Sequence, residues 1–354
     1  MGILGLSKSD LTFLGYPDFG TLAMFIGHWD DAKPFKSLLT RVTSVPYKAN
    51  FSFGAPYKGE SVVSDLKAVI RQYKPNKIFV SSPADTNGDH RAAYLFLEIA
   101  LYDLALEKFP EPTVYPYLVH CINWPLPRHY HPGLSLHPPK ELNSQIKWMQ
   151  NVLDMQQVDA KHRAILAYKS QTESSAFYLL AFARRNEMFG DYHDIDLKFP
   201  QAQAEPEFVG SSSMYEGSEL GVIEELDSAL EGKGSVSYAV SGDSLLVKID
   251  RNKPISRRFG FMVYLFGYSD KTPFGKMPKV RIAAKYKKFK VYDARKTIKP
   301  EGVSMTFSPK NIILKIPLKV MGDPDIILTS MKTYSGILPL DTTSFRKIRI
   351  RRHL

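Results

Sequence analysis

The sequence predicts an α/β half, a parallel sheet with helices, followed by a C-terminal all-β sandwich, and three observations carry that expectation. An apolar run, Ile78-Phe79-Val80, precedes the polar stretch Pro83-Ala-Asp-Thr-Asn-Gly-Asp-His-Arg-Ala92, and an apolar segment then continues to Leu106. That order is strand, loop, helix. Beyond about residue 222 short alternating apolar runs separated by turn residues replace the mixed periodicity, the pattern of a sandwich. Charge changes at the same place: the net +11 of the 354 residues is confined to the last third, and the rest is net acidic. The predicted units are residues 1–200, a polar linker over 201–221, and a basic sandwich over 222–354.

Taken in order, Leu11-Thr-Phe-Leu14 predicts a short strand ending at Gly15 and Pro17, which would put Asp18 on the same rim as His90. Residues 19–58 mix aromatics and prolines without a period, an excursion that could wall a cleft. Val62, Leu66, Val69, Ile70 and Tyr73 recur at helical spacing up to Pro75. Val114 to Ile122, containing His120, predicts a second strand. Leu142, Ile146, Met149 and Leu153 predict an amphipathic helix, as do Lys161–Tyr168 and Ala176–Phe189; in the last, the Arg184-Arg185 pair would face solvent or an acidic ligand. His129, His131 and His137 lie in a proline-rich coil with little to fix a metal geometry. Gly210-Ser-Ser-Ser213 marks the linker, and Val236-Tyr238-Val240, Leu245-Val247-Ile249, Phe261-Val263-Leu265 and Ile312-Leu314-Ile316 are sandwich strands.

A hydrophobic content of 44% is ample for real cores, and no apolar run approaches the roughly 18 residues of a membrane span. The N-terminus lacks the charged and apolar regions of a signal peptide, so a cytoplasmic protein is expected. The single cysteine, Cys121, excludes an internal disulfide.

The loop after Val80 is the candidate site, since ligands of open α/β sheets bind beyond the carboxyl ends of strands. It holds Asp85, Asn87, Asp89 and His90. Asp and Asn are also preferred N-caps, so these residues could equally satisfy the first turn of the following helix.

The pattern D-x-N-x-D-H-R-A resembles the second signature of the PIG-L (LmbE-like) family of zinc-dependent N-acetylglucosamine deacetylases. Phe13–Asp18, Tyr168–Gln171 and Phe182–Phe189 match further family stretches in the same order, so the resemblance spans roughly residues 3 to 190. It implies a Rossmann-like sheet and one zinc site with His90 as third ligand. Asn87 stands where many members have a histidine that steadies the transition state, Asp89 would orient a neighbouring group, and Asp85 precedes them at the rim. Asp18 and Arg185 are the candidate substrate-binding residues. The family's A-H-P-D-D-E signature, with two ligands and the general base, occurs nowhere. The zinc site is therefore expected to be incomplete, in either a truncated chain or a degenerate member. Gly27-His28-Trp29-Asp30-Asp31 carries the letters H-x-D-D, but within the excursion.

Two functions follow. The first is zinc-dependent removal of the N-acetyl group from a GlcNAc-containing glycan or glycoconjugate. The alternative is an inactive scaffold whose cationic sandwich binds an anionic glycan, a membrane surface or nucleic acid. Two basic runs would serve it: Lys285, Lys287, Lys288 and Lys290 around Tyr286 and Phe289, and Arg346, Lys347, Arg349, Arg351 and Arg352.

Overall fold

The computed structural model describes residues 2–143, 145–173, 177–199, 205–213, 215–216 and 234–351. Part of the predicted linker and Arg352 lie outside them. The first half contains α1 (Thr21–Gly27), α2 (Gly59–Tyr73), β1 (Lys77–Ser81), α3 (Gly88–Leu106), β2 (Thr113–Tyr117), β3 (Lys147–Val152), α4 (Met155–Leu166), β4 (Asn186–Asp191) and β5 (Ile195–Lys198). Helix α2 forms as its spacing predicts, burying Val62, Val63 and Ile70, and stops where Lys74 turns left-handed ahead of Pro75. The strand–loop–helix order at the candidate site also holds, and β1 pairs in parallel with β2 from Lys77↔Thr113 to Ser81↔Tyr117. Among the described residues the parallel ladder of this half has these two strands alone.

Three local expectations are corrected. Leu11–Leu14 is not a strand; Phe13 is exposed and its carbonyl takes the Phe51 N–H, a loop contact and not a ladder. The helix expected over 142–153 is β3, and the one expected over 176–189 is a 3-10 turn, Phe177–Phe182, followed by β4. β3 and β4 pair antiparallel, Lys147↔Asp191 to Val152↔Asn186, and β4 buries every second residue. Helical spacing and alternation share positions over such short spans, and the long-range pairing decided between them.

The second half is strand upon strand, as its alternation predicts. It comprises β6 (Val209–Ser213), β7 (Tyr215–Glu216), β8 (Gly234–Ser241), β9 (Ser244–Arg251), β10 (Phe259–Tyr268), β11 (Lys279–Lys285), β12 (Lys288–Asp293), β13 (Lys296–Ile298), β14 (Ser304–Phe307), β15 (Asn311–Pro317), β16 (Ile326–Ser335), β17 (Leu338–Thr342) and β18 (Arg346–Arg351). A five-stranded sheet, β14-β15-β9-β8-β6, shares one buried core with a nine-stranded sheet centred on β10 and β16. Val236, Val247 and Leu314 from one meet Phe261, Val263 and Met331 from the other. Val209–Ser213, expected as linker, is an edge strand on β8.

The halves are not independent. β5 joins the nine-stranded sheet, parallel to β18, and the outer face of that sheet forms a second core with α1, α2 and α3. There Phe25 lies edge-on to Phe96 at 5.0 Å and to Phe266 at 5.3 Å, with Trp29 against Phe274 at 4.9 Å. The charge asymmetry closes the same seam. Lys347 sits 2.7 Å from Glu98 and 3.3 Å from Asp194, Arg349 bonds Asp194, and Arg351 is 3.0 Å from Asp196. Arg346 donates to the His193 carbonyl at 2.7 Å. Of the final basic run, expected to meet an external polyanion, Lys347, Arg349 and Arg351 are thus paired with carboxylates of the chain and Arg346 with a carbonyl. No helix of the described residues is long and apolar enough to cross a membrane.

Candidate metal centre

The site forms because β1 and β2 end side by side. The Ser82 N–H continues the ladder to Tyr117 O at 2.7 Å, after which both chains leave the sheet and face each other as loops. Asp85 lies between them, fully buried. Its Oδ1 accepts the Asn87 N–H at 2.9 Å, and its Oδ2 accepts the N–H groups of Val119 at 3.1 Å and His120 at 3.0 Å. His90 Nδ1 lies 2.9 Å from the same Oδ2. A carboxylate can only accept, so Nδ1 carries a proton, and in the neutral ring Nε2 is the nitrogen that could take a metal ion.

The second imidazole is His120, its ring centroid 4.8 Å from that of His90. Its Nδ1 is 2.9 Å from the Tyr178 hydroxyl, and Thr86 N–H donates to its carbonyl at 3.1 Å. Ligand atoms of Asp85, His90 and His120 lie within 4.8 Å of one another, and this is the group among the described residues that could hold a metal ion. The donor set fits a borderline-soft divalent ion: two imidazoles, one backed by a carboxylate. Three of the four donors to Asp85 fall on Oδ2, which aims His90, while Oδ1 accepts the Asn87 N–H alone and keeps a lone pair.

The remaining sequence candidates divide. Asn87 is the N-cap of α3, its Oδ1 accepting the N–H groups of Asp89 at 2.8 Å and His90 at 3.4 Å. Asp89 faces α1, taking the N–H groups of Phe19 and Thr21 and the Thr21 hydroxyl at 2.5–2.9 Å. It fixes the start of α1, with a cavity of about 230 Å³ between Phe19, Leu22, Asn87 and Asp89. Asp18 is exposed and shares with Asp89 a larger groove of about 510 Å³ that runs along β1 past Phe79. Arg185 is exposed and, among the described residues, its side chain has no ion pair or hydrogen bond to the site; Arg184 beside it is buried on the carbonyls of Leu126, Ser135 and Pro127.

His28 is held elsewhere, Nδ1 2.6 Å from Lys33 O and Nε2 2.7 Å from Arg295, and burial lowers its pKa. The H-x-D-D letters are therefore no second ligand set, and Asp30 and Asp31 are exposed. His120 and Tyr178 were not among the sequence candidates. His120 could have been found: it lies near the carboxyl end of the strand predicted over Val114 to Ile122, and neighbouring parallel strands put their carboxyl ends together. Nothing local marks Tyr178.

No protein-family model and no curated protein matches the chain.

Proposed function

We propose that this group is the centre of a zinc-dependent hydrolase that removes the N-acetyl group from a GlcNAc-containing glycan or glycoconjugate. The observation that carries the reading is the buried Asp85 aiming His90 beside His120 at the ends of two parallel strands. The likeness of the loop to the PIG-L signature supports the same reaction class. His90 and His120 would hold the ion, and since a catalytic zinc uses three protein ligands the two imidazoles alone are one short, with Asp85 the third member of the group. When bound, the metal lowers the pKa of water and polarises the acyl carbonyl.

The chain's own groups supply the rest. Asn87 Oδ1 is committed to the helix cap, which leaves its amide N–H to donate to a developing oxyanion. With Nε2 on an ion, His120 would donate its Nδ1 proton to the Tyr178 oxygen, which leaves the Tyr178 hydroxyl hydrogen as the proton for a leaving amine. Asp89 positions the Phe19–Thr21 turn that borders the cavity.

Zinc titration and acetate release from a chitin oligosaccharide test the proposal. Zinc affinity and turnover should fall together in His90→Ala and His120→Ala, and Asp85→Asn should weaken zinc by about 10–100-fold through loss of the orienting carboxylate. Turnover that survives both histidine variants would overturn it.

A further inference from the structure

The outer face of the nine-stranded sheet continues past the seam, and its register shows what it presents. Directly paired residues of neighbouring strands share a face. Across β12, β11, β10 and β16, one row reads Lys288, Lys285, Gly260, Tyr334 and the next Lys290, Ala283, Met262, Lys332. The third row, Tyr292, Arg281, Tyr264 and Ser330, adjoins the aromatic core under α1 and α3. Residues between these, Phe261, Val263, Ile282, Val291 and Met331, point into the sandwich.

Five cations occupy the three rows and no position in them is acidic. Lys285, Lys288 and Lys290 are exposed, and Lys332 and Arg281 are half-buried. Among the described residues none of the five has a carboxylate partner, in contrast to β18, whose charges are paired across the seam. The face also leads to the candidate centre. Lys332 pairs with Thr342 of β17, and Arg91, the neighbour of His90, donates to Thr342 Oγ1 at 3.2 Å and Thr343 O at 2.7 Å.

We propose that this face binds an acidic polysaccharide, which on the hydrolase reading above makes a carboxylate-bearing, GlcNAc-containing chain the substrate class. The lysines match carboxylates repeated along a polymer, and Met262, Ala283, Tyr292 and Tyr334, all half-buried, offer apolar surface between them for sugar C–H faces. A single-stranded nucleic acid would need open aromatic faces for its bases. Here Tyr264 is buried and the Arg281 guanidinium lies 5.5 Å over the Tyr292 ring.

The test is binding of the full chain at low salt to four probes: labelled hyaluronan oligosaccharide, neutral chitin hexasaccharide, oligothymidylate and phosphatidylserine vesicles. Hyaluronan should bind tightest. Lys285→Glu/Lys288→Glu/Lys290→Glu, all at exposed positions, should weaken it by at least about tenfold, or about 1.4 kcal/mol. Lys310→Glu/Lys315→Glu, away from this face, should stay within about twofold, as expected when local complementarity and not net charge governs binding. Equal loss in both variants, chitin binding as tight as hyaluronan, or tighter binding of oligothymidylate or vesicles would overturn the proposal. Binding without acetate release would count against the hydrolase reading alone, and acetate release from chitin without hyaluronan binding against the face alone.

Discussion

Removing the Lys347 ammonium should unfasten the two halves, and the size of the effect can be worked from its surroundings. Lys347 Nζ lies 2.7 Å from Glu98 and 3.3 Å from Asp194, with side-chain exposures of 17%, 8% and 21%. At an effective dielectric of about 20 the gross attractions are about 6 and 5 kcal/mol. Desolvation of all three groups opposes them, and breaking one partner out of a buried pair costs about 3–5 kcal/mol net, because the other charge is left uncompensated. Lys347→Met should therefore lower stability by about 3 kcal/mol. Glu98→Leu/Lys347→Met removes both the attraction and most of the desolvation, and should fall within about 1 kcal/mol of the parent. Urea unfolding followed by far-ultraviolet circular dichroism and tryptophan fluorescence reads both, the latter through Trp29 in the seam. Burial works against the charged lysine, but Glu98 and Asp194 outweigh it and raise the Lys347 pKa. The parent's advantage over Lys347→Met should accordingly be full below about pH 10, the unfolded lysine value, and fade as pH rises through the raised folded one. A cost under about 1 kcal/mol for the single variant, or a double variant as unstable as the single, would refute the reasoning.

Two further outcomes are expected. Gly59→Ala should destabilise by about 1–3 kcal/mol and red-shift tryptophan emission, because a Cβ there would overlap the indole of Trp29, which Phe25, Phe96 and Phe274 hold in place. Burial pushes the Lys279 ammonium down to about 7, so between about pH 7 and 10 the unfolded chain binds a proton that the folded chain has released, and stability should rise with pH. Lys279→Met should abolish that rise, although it also gives up the lysine's bonds to the Phe274 and Met277 carbonyls; a variant whose urea midpoint still climbs with pH as the parent's does would contradict it.

The parts of the fold legible in the sequence are those whose pattern is long or doubly marked. The helix over Gly59–Tyr73 has five apolar positions in phase and a proline beyond it, and the sandwich strands alternate within a shared core. β3 and β4 are each six residues long, too short for period 2 to be told from 3.6, and each becomes a strand only because the other is present. At the site, the loop from Asp85 to His90 was legible because its donors and acceptors are neighbours in sequence. His120 and Tyr178 enter from 30 and 88 residues further on, by way of a ladder and a contact that no local spacing encodes. The charge break was equally visible, but only the structure shows that Lys347, Arg349 and Arg351 meet carboxylates of the first half across the seam.

The ladder of β5 with β18 begins at Ile195↔Ile348, and beside it ion pairs join residues 155 positions apart, Asp194 with Arg349 and Asp196 with Arg351. Closing so long a loop costs entropy before any contact rewards it, so this is the kind of step that slows folding. The charges lessen the chance of a wrong closure. A slip of one residue would turn Ile348 and Ile350 out of the core, and a slip of two would leave one arginine opposite the wrong neighbour and an acid without its cation. The acidic first half and basic last strand thus act as a registration mark between two segments that meet late, one that high salt should blur: refolding yield, more than final stability, is where that would first be seen.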